Sequence, residues 1–161
     1  MRFTGVSLVV LLAVSLPLLH PAPAAPAEPL GSAETNWSGV TLDLTSVERK
    51  GSVLTVKWAV HNRGESQVEV KFGLVGKHVT TYVVDEDSGT KYYALTDQEG
   101  NLVASQHVYI GSDTHGISEY VPAGQSKRYW TKMPAPPAEV KALTVFFAET
   151  EPFEEIAITD R

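Results

Sequence analysis

Leu54-Thr55-Val56-Lys57-Trp58-Ala59-Val60-His61-Asn62 is the stretch whose reading decides the fold. Leu54, Val56, Trp58 and Val60 fall on every second position, and Thr55, Lys57, Ala59 and His61 fill the gaps. A strand sends successive side chains to opposite faces, so this is a strand with one buried and one wetter face. Trp58 is the largest apolar group on the buried face and marks the centre of a core. His61-Asn62-Arg63-Gly64 then breaks the alternation with turn chemistry.

The same alternation extends outward in both directions. Before the Trp58 strand, Val40, Leu42 and Leu44 alternate with Thr41, Asp43 and Thr45, and Arg49-Lys50-Gly51-Ser52 reads as the connecting turn. After it, Val68, Val70, Phe72 and Leu74 form a third strand, and Gly76-Lys77 separates it from a β-rich run, Val79 to Val84. Asp85-Glu86-Asp87-Ser88-Gly89 is a strong turn signal, so the Val79 run and Tyr92-Tyr93-Ala94-Leu95 are expected to form a hairpin. Asp97 to Asn101 is a second turn, leading into Leu102-Val103-Ala104. His107 to Ile110 reads as a short strand, Gly111 to Gly116 as a polar loop, and Ile117 to Val121 as a brief pairing. Pro122-Ala123-Gly124-Gln125 turns the chain into Ser126 to Met133, where Tyr129, Thr131 and Met133 point one way and Arg128, Trp130 and Lys132 the other. Pro134 to Pro137 is a stiff extended crossing, because proline cannot continue a hydrogen-bonded ladder. Lys141 to Ala148 and the residues around Phe153, Ile156 and Ile158 complete the pattern. Pro137 to Lys141 could form one helical turn, and a sustained 3.6-residue apolar period occurs nowhere. Evenly spaced short strands with turns between them predict an all-β fold, an immunoglobulin-like antiparallel β-sandwich of about seven to nine strands.

The N-terminus reads differently. Arg2 precedes an uncharged apolar run, Val6 to Leu19, and then come Ala22-Pro23-Ala24 and Ala25-Pro26-Ala27. This is the layout of a secretory signal peptide, with cleavage after Ala24 or Ala27. The run is shorter than the roughly 20 residues a membrane anchor needs, and it is interrupted by Pro17. The expected organisation is a signal peptide over residues 1–24, a flexible lead-in over 25–38 rich in Pro, Ala, Glu, Gly and Ser, and the sandwich over 39–161. Asn36-Trp37-Ser38 matches a glycosylation sequon, and Trp37 is expected to pack at the domain's edge. The expected location is secreted, extracellular or periplasmic, with no stable membrane insertion after cleavage.

The chain has no cysteine, which removes thiol nucleophiles, Cys-ligated zinc, iron–sulfur clusters and lipidation on cysteine. An exported domain without disulfides must rely on its core, and about 135 residues beyond the leader are enough for one. The formal net charge of −6 argues against nucleic acid and anionic lipid as partners.

No motif names an activity. His61, His78, His107 and His115 invite a copper- or zinc-binding alternative. Their spacings lack the short H-x-H or H-x-x-x-H pattern of a ligand set, so scattered surface histidines are the simpler reading. Asp85, Asp87 and Gly89 open like a calcium loop, but Thr96 stands where the twelfth-position glutamate belongs, and Asp with Gly builds hairpin turns anyway. A Ser, a His and an acid are all present, yet no G-x-S-x-G elbow is, and a small sandwich seldom has a deep cleft. No catalytic residue, cofactor or resident metal is expected, and the chain reads as a non-enzyme. Tyrosines are plentiful, and Tyr92 and Tyr93 are adjacent, so one of them must face outward. Tyr93, with Trp130, is the expected partner contact.

Asp85-x-x-Ser88-Gly89-x-x-Tyr92-Tyr93-x-Leu95-x-Asp97-x-x-Gly100 is followed by Val121-Pro122-Ala123-Gly124-Gln125-Ser126 and by Trp130-x-Lys132-x-Pro134-Ala135-Pro136-Pro137. This pattern resembles a group of bacterial exported immunoglobulin-like domains, similar to the telokin-like and domain-of-unknown-function families, which also occur beside OmpA-like modules. The resemblance covers most of Val40 to Ile158. It implies a sandwich fold and carries over no catalytic residue; the function expected of the chain is that of a binding or accessory module with a protein or cell-envelope partner.

Overall fold

The Trp58 stretch lies at the centre of β3 (Val53–Asn62) in the computed structural model, which describes residues 28–105 and 108–161. β3 pairs antiparallel with β2 (Val40–Lys50) on one side and β9 (Ser126–Pro134) on the other. β1 (Gly31–Glu34) and β12 (Thr159–Asp160) both pair with β2, completing a five-stranded sheet. β4 (Val68–Gly76), β8 (Thr114–Val121) and β7 (Val108–Gly111) form a second sheet in that order. β11 (Phe153–Ala157), β10 (Ala142–Phe146), β5 (Tyr82–Asp85) and β6 (Thr90–Tyr92) form a third. The Thr80 and Thr81 N–H groups both donate to the Gly73 carbonyl, tying the second and third sheets together. These two make one layer and the five-stranded sheet makes the other.

The expected all-β, immunoglobulin-like antiparallel sandwich is present. Trp58 is fully buried where the layers meet, with its ring 5.2 Å from Phe72, 5.1 Å from Phe147 and 5.8 Å from Tyr129. Trp37 closes one side of this cluster, edge-on to Phe72 at 5.7 Å. Tyr129, Thr131 and Met133 face inward, as their alternation predicts, while Arg128, Trp130 and Lys132 face outward. Among the described residues no helix is long and apolar enough to cross a membrane.

Several elements differ from the sequence reading, each for a physical reason. Twelve strands are described rather than seven to nine. Gly31–Glu34, within the stretch read as a flexible lead-in, pairs with Thr41–Leu44 and covers that edge of β2. The first strand does not stop at Thr45. A β-bulge there leaves Thr45 without a partner, with Leu44 opposite Trp58 and Ser46 opposite Lys57. The bulge switches the inward positions from even to odd, so Val47 and Arg49 are buried. The turn shrinks to Gly51-Ser52, with Gly51 in the left-handed region at φ 57. Gly111 to Gly116, read as a loop, contains the tight connection between β7 and β8 and the start of β8. Its polar residues pair because β8 lies between β4 and β7. Pro137 to Lys141 is a turn closed by Val140 N–H on Pro137 carbonyl, not a helical turn. The signal-peptide residues 1–24, the adjoining residues 25–27 and His107 lie outside the described residues.

Arg49 is the chief product of the bulge. Its side chain, 6% exposed, donates through Nε to Asp160 at 2.6 Å and through Nη1 to the carbonyls of Pro137 and Val140 at 2.7 and 3.1 Å. Nη2 reaches Ala138 carbonyl at 3.3 Å and the second Asp160 oxygen at 3.1 Å. One guanidinium therefore holds the proline-rich crossing and the C-terminal strand against β2. The crossing has few hydrogen bonds of its own because prolines supply no N–H.

Gly116 marks where two backbones come closest. It sits opposite Gly73 beside an irregularity in β4, and a Cβ there would overlap the Phe72 carbonyl oxygen. Gly116→Ala should cost about 2 kcal/mol by forcing β8 away from β4. Chemical denaturation checks this, and an unchanged midpoint would refute it.

Candidate functional site

The outer faces of the two layers carry different chemistry. On the β5–β6–β10 face, Phe146 and Tyr82 are direct cross-strand partners, and their rings stack at 4.7 Å and 10°. Val83 pairs with Tyr92, which places Tyr93 beside Tyr82, with ring centroids 5.9 Å apart. Phe146, Tyr82 and Tyr93 thus form one aromatic row, from β10 through β5 to the residue just past β6. Lys91 alternates to the same face, and its ammonium lies 4.9 Å from the Tyr82 ring centre, a cation–π arrangement. The β4–β5 connection walls the other side, making a groove of about 420 Å³ lined by Val75, Gly76, Lys77, Tyr82, Lys91 and Tyr93.

Of the adjacent tyrosines, Tyr92 packs against the core and Tyr93 is 44% exposed. Burial, with the Asp85 charge second, raises the Tyr92 phenol above its ordinary value. Trp130 is half-buried on the outer face of the five-stranded sheet, with Ser105 hydrogen-bonded to its backbone. Tyr93 and Trp130 therefore project from opposite layers, and the fold does not bring them together.

A second, wider groove of about 630 Å³ is lined by Asp85, Glu86, Asp87, Glu154 and Glu155 with the Ala142–Thr144 stretch. The two acidic turns themselves do structural work. Asp85 accepts from Ser88 Oγ at 2.5 Å inside the β5–β6 turn. Asp97 Oδ1 accepts from the N–H groups of Glu99 and Asn101 at 3.0 and 2.7 Å, and Oδ2 from the Asn101 amide at 3.0 Å. Those bonds, the Asn101 side chain first, hold the Asp97 carboxyl below its ordinary range.

The described histidines are dispersed: His61 on the outer face of β3, His78 in the β4–β5 connection and His115 on β8. Among the described residues no group of three or more His, Asp or Glu side chains converges as a metal site. His61 instead joins a line of polar groups across the five-stranded sheet. Its Nδ1 lies 2.6 Å from Ser126 Oγ and its Nε2 3.0 Å from Asp43 Oδ2. Ser32 Oγ donates to Asp43 Oδ1 at 2.5 Å. Sequence reading missed this convergence. Each residue alternates to the wet face of its own strand, and only the register of β2, β3 and β9 makes them neighbours. Their alternation was a visible signal; their pairing was not.

No family model, no curated protein and no solved structure matches this chain.

Proposed function

We propose that this chain is a secreted immunoglobulin-like binding or accessory module, meeting a protein or cell-envelope partner through the β5–β6–β10 face. The aromatic row Phe146–Tyr82–Tyr93 is the observation that supports this reading. Rings on an outer sheet face contribute little to the core, and aromatic side chains are the anchors of choice at protein interfaces. Lys91, over the Tyr82 ring, adds positive charge to the groove of a chain whose net charge is −6, while Lys77 there is paired with Asp113 at 3.7 Å; the Lys91 charge favours a partner presenting a carboxylate. Export rests on the leader of residues 1–24, and amino-terminal sequencing of the released protein should begin just after Ala24 or Ala27.

Replacing Tyr93 by a photo-crosslinking residue tests the contact surface. Irradiation with envelope and culture fractions should trap a discrete adduct from position 93, whereas a probe at Thr55, on the outer face of the other layer, should not. A probe at Trp130 reports whether that layer contributes as well. Identical adduct patterns from positions 93 and 55, or none from 93, would refute the assignment. Tyr93→Ala should leave stability within about 0.5 kcal/mol of the parent while weakening the adduct-forming interaction.

A further inference from the structure

Asp43, His61 and Ser126 lie on three neighbouring strands of the five-stranded sheet. His61 and Ser126 are direct partners in the β3–β9 register, and Asp43 is the diagonal neighbour across β2–β3. A carboxylate only accepts, so the His61 proton belongs on Nε2, facing Asp43. That leaves the Nδ1 lone pair directed at the Ser126 hydroxyl, 2.6 Å away, which donates to it. The tautomer is therefore the one a general base needs. Ser32, donating to the other Asp43 oxygen, holds the carboxylate in place. Hydroxyl, imidazole and acid in this order are the arrangement that activates a serine.

We propose that Ser126 is an activated nucleophile that accepts an acyl group from an activated ester. Ser126 Oγ bonds to the acyl carbon, its proton passes to His61 Nδ1, and the bond to the leaving aryloxide breaks, the aryloxide departing with the electron pair. The His61 proton then returns to solvent. Water, deprotonated by the same imidazole, hydrolyses the Ser126 ester and releases the carboxylic acid. Ser126 is exposed, and the His61 and Asp43 side chains are 29% and 25% exposed, so a small ester can reach them. The three residues line none of the grooves described above, so the site takes small, unhindered acyl groups and offers no pocket for choosing among larger ones. Asp43 is a positioning residue: it fixes the tautomer and touches no acyl group. This site is separate from the aromatic groove, and its failure leaves the binding proposal unaffected.

The test uses the full chain and para-nitrophenyl acetate, with nitrophenolate release followed optically and the acetyl group mapped by peptide mass spectrometry. Acetyl is expected on Ser126 ahead of every other serine. Ser126→Ala should abolish the fast phase, and His61→Ala should slow it about 100-fold. Added imidazole should restore part of the His61→Ala rate, a recovery that a purely structural role would not produce. Asp43→Asn should slow acetylation and Asp43→Glu should recover some of it, with melting temperatures recorded for every variant. His61→Gln serves if His61→Ala does not fold. Acetylation of Ser126 no faster in the parent than in the His61 variants, or acetyl found only on lysines, would overturn the proposal.

Discussion

Trp58→Ala is expected to lower the unfolding free energy by about 5 kcal/mol, the upper end of the cost of removing a buried aromatic ring. The side chain is fully buried on the middle strand of the five-stranded sheet, and its ring meets Phe72, Phe147 and Tyr129, rings supplied by both layers. Collapse around the cavity is obstructed, because Phe72 and Phe147 are already packed against each other at 6.2 Å. Trp37 backs Phe72 and Phe153 backs Phe147, so neither ring can move inward without opening a gap behind it. With no cysteine in the chain, no disulfide limits the damage. Trp58→Phe should cost far less, about 1–2 kcal/mol, since it keeps an aromatic ring and removes an indole N–H that has no hydrogen-bond partner. Urea titrations of the two variants give the comparison, and equal midpoints would show that Trp58 is not the centre of the core.

Arg49→Met is the second large effect, expected at about 3 kcal/mol, chiefly from carbonyls that lose a charged donor, because Asp160 itself is largely exposed. Methionine fills much of the volume but leaves the carbonyls of Ala138 and Val140 without the guanidinium, leaves the Pro137 carbonyl only the Val140 N–H, and releases the Asp160 carboxylate. Arg49→Lys should recover only part of the loss, because one ammonium cannot span the carboxylate and the crossing together. Protease cleavage between residues 134 and 141 should rise in both variants. The contact also carries a pH signature. The hydrogen bond from Arg49, more than any other influence, holds the Asp160 carboxyl below its ordinary value. A carboxyl depressed in the folded state adds stability above its unfolded value of about 3.9. That contribution is lost as pH falls through the folded value. The gap in melting temperature between parent and Arg49→Met should therefore narrow in acid below about pH 4. A gap independent of pH would mean that the ion pair contributes nothing and that the carbonyl contacts carry the whole effect.

The legible parts of the fold are those carried by unbroken alternation. Leu54 to Val60 and Ser126 to Met133 appear as read; the hairpin expected between the Val79 run and Tyr92–Leu95 forms around the acidic turn, but with shorter strands, Tyr82–Asp85 and Thr90–Tyr92. The illegible parts are those where alternation slips or a polar run pairs anyway. Val47 lies three residues after Leu44, which looks like the end of a strand and is a bulge. Thr114-His115-Gly116 looks like loop and is the start of a strand flanked by two others. Tyr93 could be identified as the outward member of a tyrosine pair, but the row it forms with Tyr82 and Phe146 could not, since the residues come from three separate segments of the chain.

Alone, the sequence determined the all-β class, the inward residues of the unbroken strands, the central indole and the absence of sulfur chemistry, because side-chain alternation and residue type are local properties. Only the tertiary structure decided which strands are neighbours. It joined Arg49 to Asp160 across 111 positions, and His61 to Asp43 and Ser126 across 18 and 65. Such pairings follow from register between distant strands, and register is set by how two hydrophobic faces close on one another.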